Sequence, residues 1–187
     1  FRLYDSSNGN ELVNNNANSN NYYGYGLKSS DSNNLVNNEG NDNPYGFHLY
    51  KSSNNELVNN NGCLNEVGIN LNNSSKNRLV SNTINSSSYY GFRLYMSSND
   101  NVLMDNLIFN NSYTGLYLGD CNSSLIYNNY FNNTNNVHSY SEIHNNVWNV
   151  SSRPEANIVN GPSTGGNYWA KPSGTGFSQT HRDMNDD

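Results

Sequence analysis

Charge is scarce in this chain, and positive charge most of all. Only 13% of the 187 residues are Asp, Glu, Lys or Arg, and nine Lys and Arg against 15 acids leave a net charge of -6. The nine cations are scattered and form no basic stripe, so nucleic acid is not an expected partner. Apolar residues are also few, at 33%, which argues against a thick conventional core. No apolar run approaches the roughly 18 residues of a transmembrane helix. The opening "FRLYDSS" has neither the charged nor the apolar region of a signal peptide. Cysteine is nearly absent: Cys63 and Cys121 fall at unrelated places and read as small buried apolar residues rather than a disulfide framework.

Asparagine is what the chain has in place of charge, at 45 of 187 residues, with 15 Tyr and 12% aromatics. Disordered chains are rich in charge and poor in aromatics, so a regular polar fold is expected instead. The regularity is visible in the words "YGYGLKSSDSNNLVNN" from 23, "YGFHLYKSSNNELVNN" from 45 and "YGFRLYMSSNDNVLMDN" from 90. Gly24, Gly46, Gly68, Gly91 and Gly115 are separated by 22, 22, 23 and 24 residues, the behaviour of a repeat protein.

Each unit begins with an apolar residue after the Gly (Tyr25, Phe47, Ile69, Phe92, Leu116) and a Leu two further on (Leu27, Leu49, Leu71, Leu94, Leu118). This period of two predicts a strand with both side chains on one face. Small polar residues then predict a corner: Ser30, Ser52, Ser74, Ser97 or Cys121, followed by Asn33, Asn55, Asn77, Asp100 or Ser124. A second short strand carries Leu35, Leu57, Leu79, Val102 or Ile126, and a second corner Asn38, Asn60, Asn82, Asp105 or Asn129. Ile84, Leu107 and Phe131 indicate a third strand in later units, and a first unit from Phe1 fits if Gly9 is an inserted residue.

Segments this short cannot be helices. Three apolar pulses in about 22 residues predict an all-β, right-handed three-sided parallel β-helix, each turn stacked at about the 4.8 Å strand spacing. A leucine-rich repeat has a similar period but needs a longer convex segment. The reading assigns about six turns to residues 1–131 and an irregular C-terminal cap and tail to 132–187. Asparagines at inward corners would bond their equivalents on the next turn and replace a thicker core. Because Phe1 falls within a repeat, further coils or a cap are expected before it in the full-length protein.

The pattern G-[FYI]-x-L-x-x-S-x-x-N-x-[LV]-x-x-N resembles the parallel β-helix repeats of the NosD-like family, a branch of the pectate-lyase-like superfamily found on archaeal surfaces and among secreted bacterial proteins. The stretch with Asn157, Ile158, Gly161, Pro162, Gly165, Gly166, Asn167, Tyr168 and Trp169 is similar to the segment that ends the helix in many such surface proteins, ahead of an Asp-rich loop. The resemblance implies the fold and an extracellular or cell-surface location. Sequons at Asn72, Asn73, Asn85, Asn110, Asn122, Asn132 and Asn149 point the same way.

Three functions compete. A polysaccharide lyase or glycoside hydrolase acting on acidic polysaccharide needs clustered carboxylates or Asp-held calcium beside a basic residue; Asp5, Asp31, Glu56, Asp100 and Asp120 instead sit at corner positions. Copper handling, implied by the NosD resemblance, needs grouped Cys, Met or His; His48, His138, His144 and His181, and Met96, Met104 and Met184, are spread along the chain. The third reading, preferred here, is a noncatalytic surface module that serves as a spacer or binds glycan. Its face is the outward side of the first strand: Arg2, Gly26, His48, Asn70, Arg93 and Tyr117, then Tyr4, Lys28, Tyr50, Asn72, Tyr95 and Gly119. Arg2, Tyr4, His48, Tyr50, Arg93, Tyr95 and Tyr117 are the candidate glycan residues, with tyrosines stacking on rings and arginines donating to oxygens. Ordinary surface tyrosines of a β-sheet are the competing explanation.

Expected partners are extracellular polysaccharide or cell-envelope components, with end-to-end or lateral self-association. In the tail "HRDMNDD", Asp183, Asn185 and Asp187 occupy the first, third and fifth places of a D-x-N-x-D pattern, so calcium is expected in the full-length protein with these three as ligands.

Overall fold

A computed structural model describes residues 1–140 and 143–181. The chain winds as a parallel β-solenoid with three sheets as its sides. The first side has seven strands: β1 (Arg2–Tyr4), β3 (Tyr23–Lys28), β5 (Tyr45–Tyr50), β7 (Val67–Asn72), β10 (Tyr90–Tyr95), β13 (Thr114–Gly119) and β16 (Val137–Tyr140). The second has six: β2 (Glu11–Val13), β4 (Asn34–Val36), β6 (Glu56–Val58), β8 (Arg78–Val80), β11 (Val102–Met104) and β14 (Leu125–Tyr127). The third has four: β9 (Thr83–Asn85), β12 (Leu107–Phe109), β15 (Tyr130–Asn132) and β17 (Tyr168–Ala170). A four-residue helix, α1 (Phe177–Thr180), follows.

Leu3, Leu27, Leu49, Leu71, Leu94 and Leu118 stack in one column, as the period of two requires. Beside it run Tyr25, Phe47, Ile69, Phe92 and Leu116. In the early turns the third side is made of single bridges through Asn16, Glu39, Asn61 and Thr83. Its inward residues there are the small Gly40 and Gly62, and a Cβ on either would come within 3.3–3.4 Å of the Phe47 ring. Later the third side supplies Ile84, Ile108 and Phe131, all fully buried. Each turn thus fills a similar volume with a different division between its sides.

The asparagine ladders are present and continuous. The Asn33 N–H donates to Asn55 Oδ1 at 2.8 Å, Asn55 N–H to Asn77 Oδ1 at 2.9 Å and Asn77 N–H to Asn101 Oδ1 at 2.9 Å. The next corner repeats this through Asn38, Asn60, Asn82, Asn106, Asn129 and Asn167. A buried amide whose oxygen accepts from the preceding turn, and whose nitrogen donates both back to that side and on to the next turn, is satisfied without water, so its hydrogen bonds offset the cost of burying it. Outer corners hold ladders of opposite sense: Asn41 N–H donates back to Asn18 Oδ1 and Cys63 N–H to Asn41 Oδ1, both at 2.7 Å. None of the sequon asparagines belongs to an inward ladder. Cys121 occupies a serine position in its column and, like Cys63, is a free buried thiol.

Three details of the sequence alignment are corrected. In the unit from Gly91 the inward residues are Ser98, Asn101, Leu103, Asn106 and Ile108, each one place after the expected Ser97, Asp100, Val102, Asp105 and Leu107. The extra residue lies at Met96–Ser97, two successive left-handed residues with φ 54 and 63. The first unit uses the same device at Asp5–Ser6 (φ 54 and 71). Gly9 is not the insertion; its N–H bonds Asp31 as that of Ser32 bonds Ser53 one turn on. Glu56 is also no corner residue: it starts β6 and pairs with Arg78 at 2.9 Å on the outside of the second sheet.

The stack also continues past residue 131. Strand β16 pairs with β13, Val147 bridges Leu125, and β17 pairs with β15, so the described residues of 137–140 and 143–170 form a further turn interrupted by a loop between Trp148 and Asn167. Trp169 stacks on Phe131 at 4.8 Å and Trp148 lies 5.9 Å from Trp169, and the two indoles close the core at this end.

Candidate functional site

The outward side of the seven-stranded sheet brings the candidate residues together. One column is Arg2, Gly26, His48, Asn70, Arg93, Tyr117 and His138; the next is Tyr4, Lys28, Tyr50, Asn72, Tyr95, Gly119 and Tyr140. Arg2, Tyr4, His48, Tyr50, Arg93, Tyr95 and Tyr117 therefore do share one face. Asp183, Asn185 and Asp187 lie outside the described residues.

A third column escaped the sequence reading: Tyr23, Tyr45, Val67, Tyr90 and Thr114. Strict alternation back from Gly26 would turn Tyr23 inward. The alternation breaks at the glycine, however, where a Cβ on Gly24 would meet inward corner groups: Gly46 O at 2.7 Å and Asn43 Nδ2 at 3.0 Å. Only glycine can occupy that inward place beside Tyr25, and the residue before it is thrown outward. The repeated "YG" at 23, 45 and 90 was the available signal.

The rings form two clusters along the axis. In the first, Tyr23 stacks on His48 (4.7 Å, 12°), with Tyr45 at 5.1 Å from the same imidazole and Tyr22 edge-on to Tyr23 at 4.7 Å. Gly26 lets the Tyr23 ring lie close over its strand, where a Cβ would meet the ring at 3.1 Å, and Tyr4, Tyr23, Leu27, Lys28, His48 and Tyr50 line an open depression of about 160 Å³. That is below the several hundred Å³ of a pocket that encloses a whole ligand, and suits one ring laid on the surface. In the second cluster Tyr90 lies 5.0 Å from Tyr117, Tyr117 stacks on His138 (5.7 Å, 18°), and Tyr89 stacks on Tyr113 (5.0 Å).

Between the clusters lies β7, which presents Val67, Asn70 and Asn72 in place of rings. Arg93 sits beside it, its guanidinium 3.9 Å from the Tyr95 ring centre and 5.4 Å from that of Tyr90. Asn70 donates to His48 Nδ1 at 2.7 Å and Asn72 to the Tyr95 hydroxyl at 2.6 Å. Burial, aided by the Arg93 charge, lowers His48 to about 4, and burial raises Tyr90 to about 12 and Tyr45 above the usual phenol value. At neutral pH His48, Tyr45 and Tyr90 are therefore uncharged, and the cations of the three columns are Arg2, Lys28 and Arg93.

The His48 shift has a consequence for stability. The unfolded imidazole takes a proton near pH 6.5, whereas the folded one resists until about 4. Between those values the unfolded state binds more protons, so the His48 contribution is complete above pH 6.5 and declines as pH falls toward 4. Urea unfolding at pH 7.5 and 4.5 should show a larger loss for the natural protein than for His48→Gln; equal losses would show that His48 does not titrate this way.

The family model described as periplasmic copper-binding protein (NosD) matches residues 2–174, nearly the whole chain. The chain belongs to the NosD family. Among solved structures, this NosD-family chain is similar to a single-substitution mutant of the periplasmic alginate epimerase AlgG, with a TM-score of 0.63, 18% identity and coverage of 78% of this chain and 40% of that one. AlgG without substitution gives a TM-score of 0.57 at 19% identity, covering 75% and 37%. At such identity the likeness shows the fold alone, and the chain spans about 40% of the epimerase's length. The comparison with curated proteins gave no match.

The copper in the family description was tested against the residues present. Copper favours grouped Cys, Met or imidazole donors. Among the described residues no three of His, Cys, Asp and Glu are grouped to hold a metal. His48 and His138 are four strands apart, roughly 19 Å at the usual spacing, and Met104 Sδ already accepts from Arg78 and Tyr127. The described residues do not fit a copper centre.

Proposed function

We propose that this chain is a noncatalytic β-helix module of the cell envelope or exterior that binds glycan chains along its seven-stranded face, the remaining solenoid serving as a rigid spacer. The observation that carries the reading is the alignment of two clusters of aromatic rings along the axis, the first beside a ring-sized depression. Tyrosines offer a flat apolar face and a polar rim, the combination that suits a sugar ring, and a solenoid repeats such positions at regular spacing. The noncatalytic part rests on chemistry: none of the three columns contains a carboxylate to act as acid, base or nucleophile. The periplasmic descriptions of the family and of AlgG support an envelope or secreted location, and envelope polysaccharides are the corresponding partners.

Calorimetry and NMR titration with an oligosaccharide panel test this. Binding is expected to weaken roughly two- to tenfold on Tyr50→Ala, the range for loss of one aromatic contact, and likewise on Tyr95→Ala. No binding across the panel, or binding indifferent to both substitutions, would refute the glycan face. Release of unsaturated or reducing sugars, or epimerised product, would refute the noncatalytic part and favour an enzyme.

A further inference from the structure

Among the described residues the three outward columns of the seven-stranded sheet hold none of this chain's acids, although Glu66 borders them in the column of Tyr22 and Tyr89 and acts on Tyr45. The chain carries 15 Asp and Glu and a net charge of -6. Yet Arg2, Lys28 and Arg93 stand in the three columns with two imidazoles. These three cations outnumber the bordering Glu66 and leave a locally positive field on an otherwise negative molecule.

Arg93 is the centre of that field. It lies between the two ring clusters, next to the strand that lacks rings. Its guanidinium stacks on Tyr95, which fixes the plane while leaving the edge to donate. Its Nε is buried with no protein acceptor. Below it, Asn70 is fully buried, and Asn70 Oδ1 and Asn72 Oδ1 likewise lack a protein donor. Three unmatched buried polar atoms gathered at the one gap in an aromatic surface leave the packing around Arg93 short of hydrogen-bond partners within the protein.

We infer that Arg93 selects the ligand: the face takes an extended glycan bearing carboxylate or sulfate groups, with rings resting on both aromatic clusters and an anionic group held by Arg93 in the gap. This rests on the glycan reading above and names the class of chain. Arg93 donates to the anion through its guanidinium edge. The clusters are centred on β3–β5 and on β10–β16, so a ligand must reach across about four strand spacings, roughly 19 Å. An oligomer of several rings is needed to touch both.

The test compares a uronic-acid hexasaccharide, its disaccharide, a sulfated hexasaccharide, a neutral hexasaccharide and inorganic polyphosphate by calorimetry at low and high salt. The charged hexasaccharides should bind at least about tenfold more tightly than the neutral one and the disaccharide. Arg93→Gln should remove that preference, a loss of about tenfold or more as for a charge-assisted hydrogen bond, with much of the salt dependence. Arg78→Gln, which removes a cation from the second sheet, should change nothing. Equal affinity for charged and neutral chains, or selectivity unchanged in Arg93→Gln, would overturn the assignment to Arg93 while leaving glycan binding intact. Polyphosphate binding as tightly as the charged hexasaccharides would also overturn it, since no rings would be needed. Absence of binding to every glycan would refute both this inference and the reading it rests on.

Discussion

Replacing Asn82 by Ala is expected to lower the unfolding free energy by about 2–4 kcal/mol, a large share of the stability of an ordinary domain. Asn82 is fully buried and joins three turns. Its Oδ1 accepts from the Asn60 N–H at 2.9 Å and the Asn60 amide at 3.1 Å, and its own amide donates to Leu57 O at 2.9 Å and Asn106 Oδ1 at 3.1 Å. Alanine leaves the Asn60 N–H without an acceptor in a place that water does not reach, and also leaves a small void. Asn82→Asp is expected to be no better at neutral pH: a carboxylate accepts from Asn60 but cannot donate to Leu57 or Asn106, and it adds a buried charge. Asn59 is the contrast. It is exposed, at φ 54, on the outside of the same corner, so Asn59→Gly should stay within about 0.5 kcal/mol of the natural protein. Urea unfolding of the three variants checks this. If Asn82→Ala costs no more than Asn59→Gly, the ladder does not hold the turns together.

Gly91→Ala is expected to cost about 3 kcal/mol or more, at or beyond the upper end of ordinary overpacking. The added methyl would lie 2.5 Å from Gly115 O, 2.8 Å from Asn111 Nδ2 and 2.9 Å from Ile108 Cγ2. The first of these is main chain of the next turn, the second a ladder amide and the third packed core. None can move alone, so the strain spreads into two turns. Gly166→Ala supplies the control, because nothing lies within 4 Å of the new Cβ. Denaturation midpoints of the two variants should differ widely; similar midpoints would mean that the turns can part at the glycine column without penalty.

Both predictions depend on the feature that made the fold legible. A residue in a solenoid has its own equivalent above and below, so the interactions that select a leucine or asparagine in one turn select it in the next. Leu27, Leu49, Leu71, Leu94 and Leu118 could be aligned from spacing alone because each packs on the others. The same held for Asn38, Asn60 and Asn82, and the two outward columns containing His48 and Tyr50 followed from alternation. The determinants were local, and their repetition carried them across the chain.

The rest depended on relations between turns that spacing does not encode. The extra residue in the first and fifth turns is absorbed by two left-handed residues at Asp5–Ser6 and Met96–Ser97, on an outer corner where a bulge meets solvent and disturbs no column; Gly9 was an equally good guess from letters. Tyr23, Tyr45 and Tyr90 were missed because the neighbouring glycine breaks the strand's alternation, a result of how closely adjacent turns approach. The last turn was hidden by the loop between Trp148 and Asn167, whose ends meet only in space. The grouping of rings into two clusters, with Arg93 and the unmatched amides of Asn70 and Asn72 between them, arises from side-chain packing across six strands. By itself the sequence determined the solenoid, its period and the membership of most inward columns, because those repeat; the tertiary structure decided the register of the insertions and the composition of the outer face, because those depend on contacts each made once.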